Sequence, residues 1–350
     1  MSLSILNSGG DEMLNGRKLA LATMLCLTGV ANAQENNWDN VVAAAKKEKT
    51  VVFYTGLLSS KCMDRNIQRF KDQYGVEVQS FRARGGELLE RIRVEQASNR
   101  FIGDVEWNGP PVIFLQGQAG ALEPIGQLPN TANLLPGFAV EKFAVPAERS
   151  SIGMVVNDRL VKPGDIKSWK DIIDPKWRGK IATDQMDVMG IGNIWFDVTE
   201  RAFGKSYQEA LAKNKPLISR DWGAMQRRVA SGEYLAYVGI EAFNGLTARG
   251  LPVKWMVPAE GAPAYTAKLA VLKNAPHPNA ARLFINFLLS SESQLQCAGE
   301  AMGPVVKGVL DKVDPTMKPY VDVKQLGEQS PDPAEAQKAV DLARQIYMTR

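Results

Sequence analysis

Thr50-Val51-Val52-Phe53-Tyr54 decides how the chain is read. It is a short, continuous apolar run rich in β-branched and aromatic residues, the mark of a strand buried on both faces. Before it, Trp38 to Lys49 reads as a helix with Val41, Val42 and Ala45 on one side. After it, Ser59 or Ser60 caps a helix in which Met63, Ile67 and Phe70 recur at helical spacing. Val76 to Phe81 reads as a second strand, and Gly85-Gly86 opens a helix carrying Leu88, Leu89 and Ile92. Asp104 to Trp107 is a third strand that ends in Asn108-Gly109-Pro110-Pro111. Strand and helix alternate, so the expected sheet is mainly parallel, with ligand loops at the strand C-termini.

Beyond Phe143 the character changes. Ser151 to Val156 is extended, helices are expected near 190–203 and 206–213, and Leu235–Val238 and Val253–Val257 read as further strands. The apolar stretch Ala264 to Leu272 leads back toward the first unit. The helix Ala280 to Leu289 and a closing amphipathic helix, Ala334 to Tyr347, follow it. No internal repeat or low-complexity segment interrupts this order.

Composition removes several classes of function. The 350 residues suggest about two globular units. Forty-two Lys and Arg against 38 Asp and Glu give a net charge of +4, with the signs interspersed. That balance gives no reason to expect nucleic acid, which favours a concentrated basic stripe. One His and three Cys are too few for a His/Cys metal cage and leave little room for histidine-dependent catalysis.

Arg17 and Lys18, the apolar run Leu19 to Val30, and Ala31-Asn32-Ala33 form the three parts of a secretory signal, with cleavage expected after Ala33. Residues 1–12 are an upstream extension. The apolar run is too short to span a bilayer, which takes roughly 20 helical residues. Export permits a disulfide between Cys62 and Cys297; two separate buried thiols are the other option.

The string Trp169-Lys-Asp-Ile-Ile-Asp174-Pro175-Lys176-Trp177-Arg178-Gly179-Lys180-Ile181 resembles the W-x-D-[LI]-x-[DN]-P-[KR]-[WY]-[KR]-[GN]-[KR]-[IV] stretch of extracellular solute-binding proteins, in the branch related to ferric-ion-binding proteins of ABC transporters. Val51 to Gly56, Gly232 to Tyr237, and Ala270 to Pro278 with Phe287-Leu288 are similar to that branch in the expected order. The resemblance covers about 35–320. It implies an α/β, two-lobed, type II periplasmic-binding-protein-like fold with a hinge and an interlobe cleft. The first lobe would comprise 35–143 plus 264–350, and the second 144–263. It implies a periplasmic protein that captures a small molecule by reversible closure and hands it to an ABC permease in the inner membrane. A monomer without a cofactor suffices for that task.

The family's binding loops fall on particular residues here. Thr55-Gly56-Leu57 and Ser59 follow the first strand and offer backbone N–H groups and a hydroxyl at a helix start. Arg84, Gly85 and Gly86 combine a cation with free donors, a contact for an anion or carboxylate. Trp107 and Asn108 either stack on and hydrogen-bond an organic ligand or belong to the core. In the second lobe, Asp184, Gln185, Gly239, Ile240, Glu241 and Tyr265 are the candidates. Ferric-binding relatives carry adjacent tyrosines where this chain has Ile240-Glu241, and a small Ser-Gly-Ala turn where it has Met186-Asp187-Val188. These departures favour a small organic ligand with an acidic end and a polar or cationic end over ferric ion. An iron site would have to be built from the oxygens of Glu241, Asp184 and Tyr265.

Signs of catalysis are weak. Gly204-Lys205-Ser206 lacks the leading glycine of a phosphate loop, since Thr199 stands there. Gly190-Ile191-Gly192 places Trp195 where a dinucleotide fingerprint requires glycine. There is no G-x-S-x-G, H-E-x-x-H or C-x-x-C, and His277 lies between two prolines in an expected turn.

Overall fold

A computed structural model describes residues 38–58, 60–248 and 250–348. The secretory signal and its cleavage site lie outside the described residues, as does Ser59. Helix α1 covers 38–48. It is followed by β1 (Thr50–Thr55), α2 (Lys61–Tyr74), β2 (Glu77–Arg82), α3 (Gly85–Ala97), β3 (Val105–Asn108) and α4 (Pro110–Gln118). A two-residue strand β4 (Leu122–Glu123) precedes the long β5 (Ala144–Asn157). Next come β6 (Ile181–Thr183), α5 (Ile191–Phe203), α6 (Lys205–Lys213), β7 (Leu217–Ile218), α7 (Trp222–Ala230) and β8 (Ala236–Glu241). Then follow α8 (Ala242–Gly245), β9 (Val253–Met256), β10 (Ala262–Leu272), α9 (Pro278–Leu288), α10 (Ser291–Ala298), α11 (Lys318–Val321), β11 (Gln325–Glu328) and α12 (Pro333–Tyr347).

β1 is buried on both faces, as its composition requires. Phe53 meets Phe284 edge-on at 5.2 Å, while Tyr54 turns to the opposite layer with Leu88 and Ile92. Helix α2 starts where Ser60 accepts from the Met63 N–H and stops at Gly75, whose left-handed backbone returns an N–H to Lys71.

The sheet runs β2-β1-β3-β10-β5-β8-β6-β7, with β4 and β11 on β10 and β9 on β5. It is mixed, where the alternation of strand and helix suggested mainly parallel. β1 pairs parallel with β2 and β3, and β6 pairs parallel with β7 and β8. β5 and β10 run antiparallel to each other and to β8 and β3 respectively. The reason is that the chain crosses between two half-sheets twice, once in each direction. β5 pairs with β10 through Ala144–Ser151 and with β8 from Ile152 onward.

Two cores flank this crossing. One gathers Phe53, Phe70, Trp107 and α9; the other gathers Trp169, Trp195, Ile181 and Val238. The Trp169–Ile181 string is structural. Trp169 is fully buried and its indole N–H donates to the Gly261 carbonyl at 2.8 Å, while Trp177 is buried beside it. Helix α12 was expected with the first lobe. It lays Ala339, Ala343 and Ile346 into the core built on Trp195 and also touches α4. His277 is no loose turn: its backbone N–H and Nδ1 bond the buried Asp104 carboxylate at 2.7 and 2.9 Å and pin the start of α9.

Cys62 on α2 and Cys297 on α10 form a disulfide, the option that the sequence left open. Replacing both by Ser removes a cross-link between positions 235 apart. That change is expected to cost about 2–5 kcal/mol. Thermal unfolding of the wild type and the double variant, each with and without reductant, measures it; equal midpoints in all four samples would show that the bond contributes nothing.

Candidate functional site

Strand direction places the cleft. β1 and β3 end at Thr55 and Asn108, and Asn108 stands opposite Lys268 of β10, which stands opposite Pro146 of β5. β6 and β8 end at Thr183 and Glu241, and Glu241 stands opposite Ile152 of β5. The two sets of C-terminal ends therefore face one another along β5, from the level of residue 146 to that of 152, a span of roughly 20 Å. Loops at such ends are where open α/β sheets bind ligands. The floor between them is the paired segment of β5 and β10.

On the first wall, several predicted contacts serve the protein itself. Thr55 is fully buried and its hydroxyl accepts from the Leu57 N–H at 3.1 Å. The Gly56 N–H donates to the Trp107 carbonyl, and the Leu57 side chain joins the core. Trp107 is a core tryptophan, so the stacking role falls away. Asn108 is committed as well: its amide donates to Glu106 at 2.8 Å and its oxygen accepts from Gly109. A side chain at Gly85 would collide with Asn108 Oδ1 at 2.5 Å, which fixes the approach of α3 to the end of β3. What remains open is Arg84, half-buried just before α3, with Gly85 and the exposed Gly86 opening that helix. Arg82 is spent on Asp64, whereas Arg84 has no ion-pair partner among the described residues.

The second wall is acidic. Gly239 is the extra residue of a β-bulge, with φ +83°, because Gly153 and Met154 of β5 pair with Ile240 and Val238. A Cβ added at Gly239 would stand 3.5 Å from Asp184 Cβ and 3.6 Å from Gly192 Cα, so the ends of β6, β8 and α5 converge here. Asp184 is buried and its Oδ2 accepts from the Gly192 N–H at 3.0 Å; burial pushes its carboxyl up, against the lowering effect of the backbone N–H groups of Gln185 and Gly192, then of Trp222 and Arg220. Gln185 follows it, half-buried. Ile240 points into the core and its carbonyl accepts from the Trp255 indole, so its side chain cannot meet a ligand. Glu241 is buried and accepts from the Tyr265 hydroxyl and the Asn244 amide, both at 2.6 Å. Burial drives its pKa up to about 7 against those donors.

The floor holds a residue that the sequence reading passed over. Glu148 is 3% exposed and neither carboxylate oxygen has a hydrogen-bond partner among the described residues. Burial, then the charge of Glu241, push its pKa up to about 8. The available signal was an acid inside an otherwise apolar strand; Glu106 within Val105–Asn108 is a second case, pushed by burial to about 7. Ser150, also missed, faces Glu241 Oε1 at 3.5 Å. The structure thus joins Asp184, Gly239, Glu241 and Tyr265 in one cluster with Glu148 and Ser150, and leaves Arg84 on the other wall.

Comparison with known proteins agrees with this architecture. Residues 66–324 match the family model described as bacterial extracellular solute-binding protein, and the chain belongs to that family. A putative 2-aminoethylphosphonate-binding periplasmic protein of Salmonella typhimurium is 24% identical over 288 residues, covering 79% of this chain and 83% of that protein. Iron-bound HitA from Pseudomonas aeruginosa superposes with a TM-score of 0.71 at 23% identity, covering 85% of this chain and 99% of HitA. The ferric binding protein from Campylobacter jejuni gives 0.69 at 17% identity, with 85% and 98% covered. The fold is the two-lobed, type II periplasmic-binding-protein fold with a hinge and an interlobe cleft. The protein is a bacterial extracellular solute-binding protein.

The buried acids fix the pH dependence of stability. Glu106, Glu148 and Glu241 have folded pKa values above those of exposed carboxyls. The folded chain therefore keeps protons that the unfolded chain releases, and their contribution is full below about pH 4.3 and is lost as pH rises through 7 to 8. The thermal midpoint of the ligand-free protein should fall between pH 5 and pH 8, as stability drops by about 1.4 kcal/mol per pH unit for each group that stays protonated in the fold. Glu241→Gln should make that fall shallower. A midpoint that climbs steadily over the same range would show that these carboxyls are ionised in the folded state.

Proposed function

We propose that this family member is the periplasmic capture component of an ABC importer and that its solute is a small zwitterion, with an anionic carboxylate or phosphonate and a cationic or polar end. The observation that carries this reading is the division of charge across the cleft. An arginine without an ion-pair partner among the described residues and a helix start lie on one wall; buried carboxyls lie on the other wall and the floor, with Arg220 near Asp184. Arg84 with the first amides of α3 would take the anion, and Glu241 with Asp184 would face the other end. The relatives named for 2-aminoethylphosphonate, a zwitterion, support the same chemistry. Lobes of 35–143 plus 264–350 and of 144–263, with α12 bracing both, would close on the solute about β5 and β10. A monomer would present both lobes to the permease, and the solute would leave unaltered, without catalysis. The signal peptide would be removed after Ala33.

Isothermal titration with 2-aminoethylphosphonate, a panel of amino acids, small carboxylates and ferric citrate tests the proposal. Zwitterions should bind, Arg84→Ala should weaken them at least tenfold, and small-angle scattering should show a more compact particle once a binder saturates the protein. Tight ferric binding with a visible charge-transfer band, or rejection of every zwitterion, would overturn it.

A further inference from the structure

Glu148 occupies an unusual position. It lies on the stretch of β5 between the two sets of strand ends, opposite Ala267 of β10, and shares a face with Ser150 and Tyr265. Beside it is a cavity of about 10 Å³, enough for the centre of one water-sized group. Met63, Asn66, Trp107, Gln294 and Met302 are among the residues that line it. The polar groups there are already engaged. Asn66 donates to the Ser293 carbonyl, and Gln294 donates to the Ala147 and Leu288 carbonyls and accepts from Val305. Glu148 alone brings a free acceptor, and it brings two.

Among the described residues, no compensating cation pairs with it. Arg149, the next residue, pairs with Glu328 across 2.7 Å, and Lys268 pairs with Glu141. The titratable groups that face Glu148 are Glu241 from β8 and Tyr265 from β10; α2, α10 and β3 contribute only neutral groups among the described residues. An uncompensated buried carboxylate is costly, so in the ligand-free protein the group must carry a proton, and in the loaded protein it can accept a positive charge instead.

We infer that Glu148 is the receptor for a primary ammonium group of the solute, with Glu241 beside it, and that solute binding expels the proton that Glu148 carries when the cleft is empty. The exchange balances: an R–NH3+ group enters, the carboxyl O–H bond breaks, the proton passes to solvent and an ammonium–carboxylate pair remains. A single ammonium matches the size of the cavity. Because the proton must leave, affinity for an amine should fall as pH drops below 8, and should fall more steeply than that of an amine-free analogue carrying the same anion. This inference rests on the zwitterion reading given above and names which end of the solute sits on the floor.

The test is calorimetry at pH 7 in two buffers of different ionisation enthalpy, with 2-aminoethylphosphonate and ethylphosphonate as probes, on wild type and Glu148→Gln. The wild type should prefer the amine at least tenfold and release close to one proton per molecule bound. Glu148→Gln should lose both the preference and the release, keep its affinity for ethylphosphonate, and unfold at pH 8 no earlier than the wild type. Amine preference that survives in the variant, or binding by the wild type without proton release, overturns the role of Glu148 alone. If the wild type binds neither phosphonate nor any amino acid, the zwitterion reading falls and takes this inference with it.

Discussion

The pairing of Ala144–Ser151 with Ala264–Ala270 is the contact on which every other placement depends. It joins the two half-sheets through backbone hydrogen bonds, and it orients the strands on each side. Side chains alternate along a strand, so a slip of one residue would turn Glu148, Ser150 and Tyr265 to the other face and Arg149 inward. The irregularity between Ala267 and Lys268 holds that register in place. From it follow the direction of β3 and β8, the facing of their C-terminal ends, and the concentration of polar groups between them.

Folding this chain therefore gathers acids where water is scarce. Asp184, Glu241 and Glu148 come from three separate strands and meet near the crossing, where their mutual repulsion and desolvation oppose ionisation. Tyr265 and Asn244 satisfy Glu241, Gly192 satisfies part of Asp184, and Glu148 is left without a donor. A protein selected for stability alone would place an apolar residue at that point. A protein that must hold a solute and then release it gains from a site that is uncomfortable when empty.

Much of the architecture was legible in the sequence because local rules and global fold agree there. Thr50–Tyr54 is apolar without alternation and is a two-faced buried strand; Ser60 and Gly75 bound α2 as capping chemistry requires. Strand direction was less legible. Nothing in the composition of residues 144–157 or 262–272 says parallel or antiparallel, because that is set by partners more than a hundred residues away. The loops stand at strand ends, as their sequence order implies, but where their side chains point was not legible. Thr55, Leu57, Trp107 and Ile240 stand beside the cleft in sequence yet are consumed by core packing or by their own backbone. A loop position does not fix where a side chain points, and two consecutive residues such as Ile240 and Glu241 meet opposite environments. Glu148 was missed for the complementary reason: it lies mid-strand, where an acid reads as one polar interruption in an apolar run.

The link between Cys62 and Cys297 encloses the whole outward and return passage of the chain. Every loop of the second half, from Asp158 to Gly261, lies inside that ring. A protease that cuts one of those loops produces two fragments that stay covalently joined, each still anchored in the same first-half core. The cross-link thus keeps a chain that is cut in any one of those loops in a single covalent piece.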